Sequence, residues 1–249
     1  MIIRKSPREI KIMKQANQIV AETHAYLEEE IKPGISTADL NRMADEYIRG
    51  KGAVPSFKGY RGFPASICVS INEEVVHGIP SQERLLEEGD IVSIDIGTLY
   101  QGFNGDAART FPVGEVSGEV RRLLEVTSQS LAKAIEQAVV GNRLTDISHA
   151  VQSHAEAHGY SVVREYVGHG IGREMHEDPQ IPNFGPPGRG PVLKAGMTFA
   201  IEPMVNTGGF GVETLDNGWT VVTKDSSLSA HFENTIALTE EGPEVLSQL

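Results

Sequence analysis

The chain has 249 residues, of which 39% are hydrophobic, and this is enough material for a sizeable buried core. Its formal net charge of −12 offers no basic surface for nucleic acid or an anionic membrane, so we expect neither partner. The single cysteine, Cys68, excludes an internal disulfide bond, and with no apolar leader or membrane span in the sequence it favours the cytoplasm.

Cap residues and apolar spacing predict four helices. Ser6, Pro7 and Glu9 open the first helix, because serine caps it, proline fits its first turn and glutamate completes a capping box. The second helix should begin at Ser36 or Thr37 and end near residues 50–52. The third and fourth should cover residues 118–138 and 145–158, each followed by a glycine that ends the helix.

Strands are predicted where short apolar or β-branched runs follow the helices. The runs are residues 66–71, 91–96, 162–167, 198–201, 219–223 and 232–238. Two runs follow the first helix pair and four follow the second pair. The order of elements in the first part of the chain is therefore repeated in the second part.

The sequence also matches itself at an offset of 107 residues. The matched pairs are Gly34/Gly141, Asp39/Asp146, Leu40/Ile147, Gly52/Gly159, Leu86/Leu193, Gly89/Gly196, Ile94/Ile201 and Asp95/Glu202. Eight ungapped matches could arise by chance among common residues, but these fall on helix caps and strand ends, as in a duplicated unit. We interpret the chain as a single α+β domain of two pseudo-symmetric halves, about 1–113 and 114–249, with a cleft between them.

Five side chains of metal-binding type stand beside these strand-like runs. They are Asp95, Asp106, His169, Glu202 and Glu233. An acid at the inner end of a strand is costly to bury unless a cation or a donor receives it. Four neighbouring carboxylates would retain protons unless cations neutralised them, and two divalent ions balance four negative charges. This ligand set suits manganese, iron or cobalt, so the pattern predicts a two-metal hydrolase.

Each of these residues also has an ordinary structural interpretation. Asp95 and Asp106 should face each other across a hairpin that turns within residues 101–105, yet either could be a cap or turn residue. Glu233 lies in an alternating run where it shares a face with His231 and Thr235, and that face could be solvent.

Glycines flank His169 on both sides and would let another backbone or a metal approach it closely. The run of residues 168–172 lacks the later glycine of a nucleotide-binding loop, so that interpretation is weak. The remaining histidines, apart from His77 and His176, are interpreted as structural. They are His24, His149, His154, His158 and His231.

Taken together, several segments closely resemble methionine aminopeptidases of the bacterial type I class. The segments are residues 57–60, 70–80, 90–97, 105–108, 166–172, 176–180, 200–204 and 231–233. The similarity runs nearly end to end. It implies the "pita-bread" fold, a duplicated α+β unit in which two pairs of helices flank a curved antiparallel sheet.

The resemblance also implies a role for each position. Asp95, Asp106 and Glu233 would hold one of two divalent ions (cobalt, manganese, iron or zinc). Asp106, His169, Glu202 and Glu233 would hold the other. A water shared by the ions would become hydroxide and attack the first peptide bond, with Glu202 carrying the proton. His176 would polarise the scissile carbonyl, and His77 would contact the substrate backbone near the leaving nitrogen.

The methionine pocket implied by the resemblance is apolar and adaptable. Its residues would be Phe57, Tyr60, Phe63, Cys68, Met175 and Trp219. A soft side chain such as Met175 suits a thioether ligand, although ordinary core packing is the alternative for each of these residues. Asn234 stands where the family has a histidine beside the bridging glutamate, which bears on how the metals are supported.

The function implied is removal of the initiator methionine from nascent proteins at the ribosome when the second residue is small. We expect a cytoplasmic monomer that acts on N-terminal methionine peptides. One alternative is cleavage of proline peptides, as in prolidases, which share this catalytic half but usually carry an additional N-terminal domain. The other is a non-catalytic binding protein, but such relatives typically lose metal ligands.

Overall fold

The computed structural model describes residues 1–249, which form four α-helices and fifteen strands. The helices are α1 (Pro7–Glu28), α2 (Thr37–Gly50), α3 (Gly118–Gln137) and α4 (Leu144–Ala157). The strands are β1 (Val54–Pro55), β2 (Ile67–Ile71), β3 (Glu74–Val76), β4 (Ile91–Tyr100), β5 (Phe103–Pro112), β6 (Ser161–Val162), β7 (Gly168–Gly170), β8 (Glu177–Ile181), β9 (Thr198–Ile201), β10 (Met204–Asn206), β11 (Val212–Thr214), β12 (Val221–Thr223), β13 (Ser229–His231), β14 (Asn234–Thr239) and β15 (Gly242–Val245).

The four predicted helices are confirmed. At the start of α1 the Ser6 side chain accepts from the N–H of Glu9, and the Glu9 carboxylate accepts from the N–H of Ser6 at 2.9 Å. This capping box satisfies two backbone donors that would otherwise lack partners. None of the helices combines the length and apolar character that a membrane crossing requires.

The two helix pairs share local details at the predicted offset of 107 residues. A shift of 107 carries the bounds of α2 onto those of α4. The same shift carries the isolated β-bridge between Ser36 and Leu85 onto the one between Arg143 and Val192. The two segments therefore follow the same backbone plan.

All strand pairs are antiparallel, and two sheets carry most of the pairing. The first joins β1, β2 and β5 to the central strand β4, and the second runs in the order β15-β14-β9-β7-β8. Two three-stranded sheets, β13-β10-β6 and β11-β12-β3, lie beside them. One buried apolar cluster involves α1, α2 and the first sheet, and a larger one involves α3, α4 and the second.

Four predicted strands are wrong in extent, and one of them, run 91–96, continues to Tyr100 as β4. Run 162–167 pairs only as β6, and residues 164–166 form a bend instead. Run 219–223 pairs only from Val221, because the Asn217 side chain accepts the backbone N–H groups of Trp219 and Thr220 and closes a turn there. Short strands outside the predicted runs are not predicted, since runs of two to five residues show no clear alternation. They are β1, β3, β7, β8, β10, β11, β13 and β15.

Run 232–238 is interrupted at its start, so the predicted continuous strand is wrong there. The predicted shared face of His231, Glu233 and Thr235 is buried, so the alternative that it faces solvent is also wrong. Strand β13 ends at His231 and β14 begins at Asn234. Between them, the N–H of Phe232 bonds to Pro203 O at 3.2 Å, and that of Glu233 bonds to Ala108 O at 2.9 Å. The Glu233 backbone is therefore paired across to β5.

Candidate metal centre

The five acidic and imidazole residues singled out in the sequence converge on one cavity of about 150 Å³. Its lining residues are Phe57, Tyr60, Arg61, Phe63, Cys68, His77, Asp95, Asp106, His169, His176, Glu202, Trp219 and Glu233. One ligand atom from each of Asp106, His169 and Glu233 lies within 4.8 Å of the others. The Nε2 atom of His169 is also 3.5 Å from Glu202 Oε1.

A tight hairpin positions the two aspartates. Strands β4 and β5 pair over their whole length and turn at Gln101 and Gly102, whose φ values are 48° and 80°. This two-residue turn is shorter than the predicted one and matches the twist of the strands. In this register Asp106 lies opposite Gly97, two positions from Asp95, so both carboxylates belong to one face of the hairpin.

Helix α1 packs directly behind Asp106. The Oδ1 atom of Asn17 accepts the backbone N–H of Asp106 at 3.1 Å. A Cβ atom on Gly105 would lie 2.7 Å from the Asn17 backbone nitrogen, so a glycine is needed for this close approach. Asn17 is fully buried and thereby fixes the position of Asp106.

The glycines around His169 serve close strand pairing. A Cβ atom on Gly168 would lie 2.5 Å from Ala200 O, and one on Gly170 would lie 2.1 Å from Asp178 O. The Nδ1–H of His169 donates to Gly170 O at 2.9 Å. Since this bond fixes the tautomer, Nε2 keeps a free lone pair directed at Asp106 and Glu202.

Glu202 directly follows strand β9, and its carboxylate lies between two histidines. Its backbone oxygen accepts from Asn183 Nδ2 at 2.9 Å. Its Oε1 faces His169, and its Oε2 is 3.8 Å from Nε2 of the buried His231. His231 is interpreted as structural in the sequence, yet it approaches the site from β13.

Glu233 is supported through its backbone and its neighbour. Arg109 donates to Glu233 O and, at 2.7 Å, to Asn234 Oδ1. Ser247 Oγ also donates to Asn234 Oδ1, at 2.9 Å. Thr235, two residues after Glu233, donates from Oγ1 to Asp106 O at 2.8 Å. This bond connects the segment that carries Glu233 to the backbone of Asp106, the other predicted bridging ligand. Asn234, which departs from the family's histidine, is thus held by Arg109 and Ser247.

The carboxylates share an environment that disfavours their charged forms. Burial raises the pKa of Asp95 to about 7 and raises the pKa of Asp106, Glu202 and Glu233 well above the ordinary range. The negative charges of neighbouring carboxylates raise the pKa of Asp106, Glu202 and Glu233 further. The buried atoms Asp95 Oδ1, Asp106 Oδ1 and Glu233 Oε1 have no hydrogen-bond partner in the protein. Buried, unpartnered oxygen donors beside a free imidazole nitrogen fit divalent cations.

Two further histidines lie at the same cavity. His176 Nδ1 is 2.8 Å from the Tyr60 hydroxyl, and the two rings stack. His77 adopts a left-handed backbone with φ of 61° and has its ring edge-on to both Tyr166 and Trp219. Burial lowers the pKa of His77, and partial burial of the His176 ring, together with the neighbouring His169, lowers the pKa of His176 to about 3 although the residue is exposed at one side. Both imidazoles are therefore neutral at pH 7.

One wall of the cavity is apolar. The buried residues Phe63 and Cys68 form a cluster with Trp219 and Phe57 packed against it, and the Phe63 and Trp219 rings meet edge-to-face at 5.2 Å. Met175 does not line the cavity. It is buried in a separate cluster, against which Phe57 also packs.

Sequence patterns miss several residues that shape this site. They are Asn17, Arg61, Arg109, Asn183, His231 and Ser247. Arg61 lines the cavity from a short 3-10 turn, Ser247 contacts Asn234 beside Glu233, and the others contact the predicted ligands or their backbone. For His231 a signal exists, because it stands two residues before Glu233 in a buried run.

Comparisons with known proteins agree with this geometry. A family model described as "Metallopeptidase family M24" matches residues 11–240. The chain is 60% identical over 247 residues to "Methionine aminopeptidase" of Clostridium acetobutylicum, which covers 99% of both chains. It is 57% identical over 249 residues to "Methionine aminopeptidase 1" of Bacillus subtilis, which covers 100% of both.

Solved structures show the same relationship. A methionine aminopeptidase from Thermotoga maritima superposes with a TM-score of 0.99 at 49% identity and covers 100% of both chains. A prolidase from Pyrococcus furiosus superposes with a TM-score of 0.81 at 25% identity and covers 99% of this chain but 66% of the prolidase. The predicted pita-bread fold is confirmed.

Proposed function

The chain belongs to metallopeptidase family M24, and from this we propose that it removes the N-terminal methionine from proteins whose second residue is small. One observation carries the proposal: a buried carboxylate and imidazole floor meets an apolar wall within a single cavity of about 150 Å³. So small a cavity fits one substrate residue, which favours cleavage after the first. The apolar wall of Phe63, Cys68 and Trp219 suits a thioether side chain.

We propose that two divalent ions, of the manganese, iron, cobalt or zinc type, are held at this floor. Asp95, Asp106 and Glu233 would hold one ion, and Asp106, His169, Glu202 and Glu233 the other. The unpartnered buried oxygens of Asp95, Asp106 and Glu233 support this assignment. When bound, such ions polarise a carbonyl oxygen and lower the pKa of water towards neutrality.

The protein's own residues would orient the substrate and move its proton. Because His176 is neutral, a Tyr60 O–H that donates to Nδ1 leaves the proton on Nε2, free to donate to the scissile carbonyl oxygen. Glu202 is the proposed proton carrier, since its carboxylate lies at the cavity between His169 and His231. His77 lies at the same cavity and would contact the substrate backbone.

We also propose that the chain is a single catalytic domain of two related halves, about 1–113 and 114–249. The shared helix bounds and β-bridges at the offset of 107 residues support this division. In this proposal the protein acts as a cytoplasmic monomer on the N-terminal methionine peptides of nascent chains at the ribosome.

Peptide hydrolysis tests the proposal. Chelated enzyme, and enzyme with added manganese or cobalt, would be incubated with Met-Ala-Ser and with Ala-Pro peptides. We expect release of methionine alone, and only with metal. Cleavage of the proline peptides would instead assign the protein to the prolidase-like activity. The absence of hydrolysis with every metal would refute the proposal.

A further inference from the structure

Two residues that line the cavity are exposed to solvent. Of the thirteen lining residues, only Arg61 and His176 are exposed, and the other eleven are buried or half-buried. Substrate residues beyond the scissile bond must leave the cavity towards solvent. A substrate that extends beyond the cavity would therefore pass these two exposed side chains.

Arg61 is held in this position by an unusual backbone. Its φ of 50° lies in the left-handed region, and Gly59 and Gly62 nearby have φ values of 84° and 92°. A side chain other than glycine is strained there and marks a position that the surrounding structure enforces. Its guanidinium carbon lies 5.3 Å from the centre of the Tyr60 ring, and the Tyr60 hydroxyl contacts His176. Arg61 is thus stacked on the residue that orients His176.

The charge of Arg61 has no partner in the protein. It is the only lysine or arginine among the lining residues, and it forms no ion pair. The four carboxylates of the cavity are assigned to the metal floor. A stacked guanidinium with free donors is the side chain best suited to bind a carboxylate.

We propose that Arg61 binds an acidic group of the substrate just beyond the scissile bond, so that the enzyme prefers an aspartate or glutamate at the third or fourth residue. This inference rests on the proposed function and adds a substrate preference to it. The carboxylate could belong to a side chain or to the free C-terminus of a short peptide. Peptides with amidated C-termini separate the two sources.

The experiment compares kcat/KM for amidated Met-Ala-Asp-Phe, Met-Ala-Asn-Phe and Met-Ala-Lys-Phe, and for a set with the variable residue fourth. The same peptides with free C-termini measure the contribution of a terminal carboxylate. The proteins are the metal-loaded wild type, Arg61→Asn and Arg61→Asp, because asparagine and aspartate tolerate left-handed backbone. Arg121→Asp on α3 is the matched control, since Arg121 is exposed and does not line the cavity.

We expect the wild type and the control to favour the aspartate over the asparagine peptide about threefold, the strength of an exposed ion pair. The ratio should fall to about one in Arg61→Asn, and Arg61→Asp should favour the lysine peptide. Added salt should reduce the preference. An unchanged ratio in Arg61→Asn would overturn the inference, and a preference confined to free C-termini would overturn the side-chain assignment.

A binding measurement keeps this test separate from that of the proposed function. Trp219 is the only tryptophan and lines the cavity, so its fluorescence reports peptide binding without turnover. The ratio of dissociation constants for the aspartate and asparagine peptides should follow the same pattern. If no protein releases methionine, the proposed function fails, and the binding ratios still decide whether Arg61 recognises the acid.

Discussion

Two ion pairs of nearly equal length should differ greatly in their contribution to stability. Lys5 Nζ lies 2.5 Å from Glu177 Oε2, and Lys14 Nζ lies 2.6 Å from Glu244 Oε1. The side chains of the first pair are 4% and 7% exposed, whereas those of the second are 56% and 39% exposed. Burial, and not distance, therefore separates the two pairs.

Lys5→Met should lower the free energy of unfolding by about 3–5 kcal/mol, because it leaves the buried Glu177 carboxylate without its partner. Lys14→Met should cost at most about 1 kcal/mol, since water and salt screen the exposed pair. Replacing both buried partners, as in Lys5→Met with Glu177→Leu, should recover most of the loss, because no unpaired charge then remains. Glu177 follows His176, so the Lys5 variant should also lose activity.

Urea denaturation at pH 7 gives the midpoint and slope for each variant, and a constant slope permits direct comparison. The reasoning would be refuted if Lys5→Met and Lys14→Met lost the same free energy. It would also be refuted if the double variant were no more stable than Lys5→Met. At high salt the stability lost through Lys14→Met should become smaller, because salt screens the exposed pair of the wild type, and the stability lost through Lys5→Met should stay the same.

The remaining predictions concern the metal site. Glu233→Ala should lose both ions, measured as metal content per chain, because a bridging ligand serves each. His176→Ala should keep both ions and lose about 10²–10⁴-fold in kcat, because the carbonyl is no longer polarised. Arg109→Met should weaken metal binding by about 10–100-fold in calorimetry, since Glu233 O loses the Arg109 donor and Asn234 Oδ1 keeps only Ser247. Burial raises the pKa of Asp95 from 3.8 to about 7, so the contribution of Asp95 to the stability of metal-free protein should fall as pH rises through that interval, because the unfolded chain releases this proton more readily. This contribution is the difference in unfolding free energy between wild type and Asp95→Asn. Denaturation midpoints in chelator, with and without restored metal, measure this effect.

Each of these predictions has a contrary result. Two retained ions in Glu233→Ala would contradict the bridging assignment, and an unchanged kcat in His176→Ala would remove its role. Unaltered metal affinity in Arg109→Met would show that its bonds to Glu233 and Asn234 do not position the ligands. A stability difference between metal-free wild type and Asp95→Asn that shifts in favour of the wild type from pH 4 to pH 7 would contradict the sign derived for Asp95.

The sequence reveals residues whose chemistry conflicts with their surroundings. Asp95 and Glu202 are predictable because each ends an apolar run, where an acid needs a cation. Arg109 and Asn17 are not predictable, since they contact ligands far along the chain and their local sequence is ordinary. The alternation around Glu233 correctly groups it with His231 and Thr235, but it does not show that this face is buried or that the Glu233 backbone pairs with Ala108, because no local pattern encodes those contacts.

The ligand set draws on distant parts of the chain, with Asp95 and Asp106 on one hairpin and Glu233 more than a hundred residues later. Ions bound there would act as cross-links that only the folded chain can form. An ion whose free concentration is a hundred times its dissociation constant raises the free energy of unfolding by about 2.7 kcal/mol. Cellular metal supply would then govern how long each copy of the protein escapes proteolysis, so that metal starvation would reduce the amount of enzyme as well as its activity.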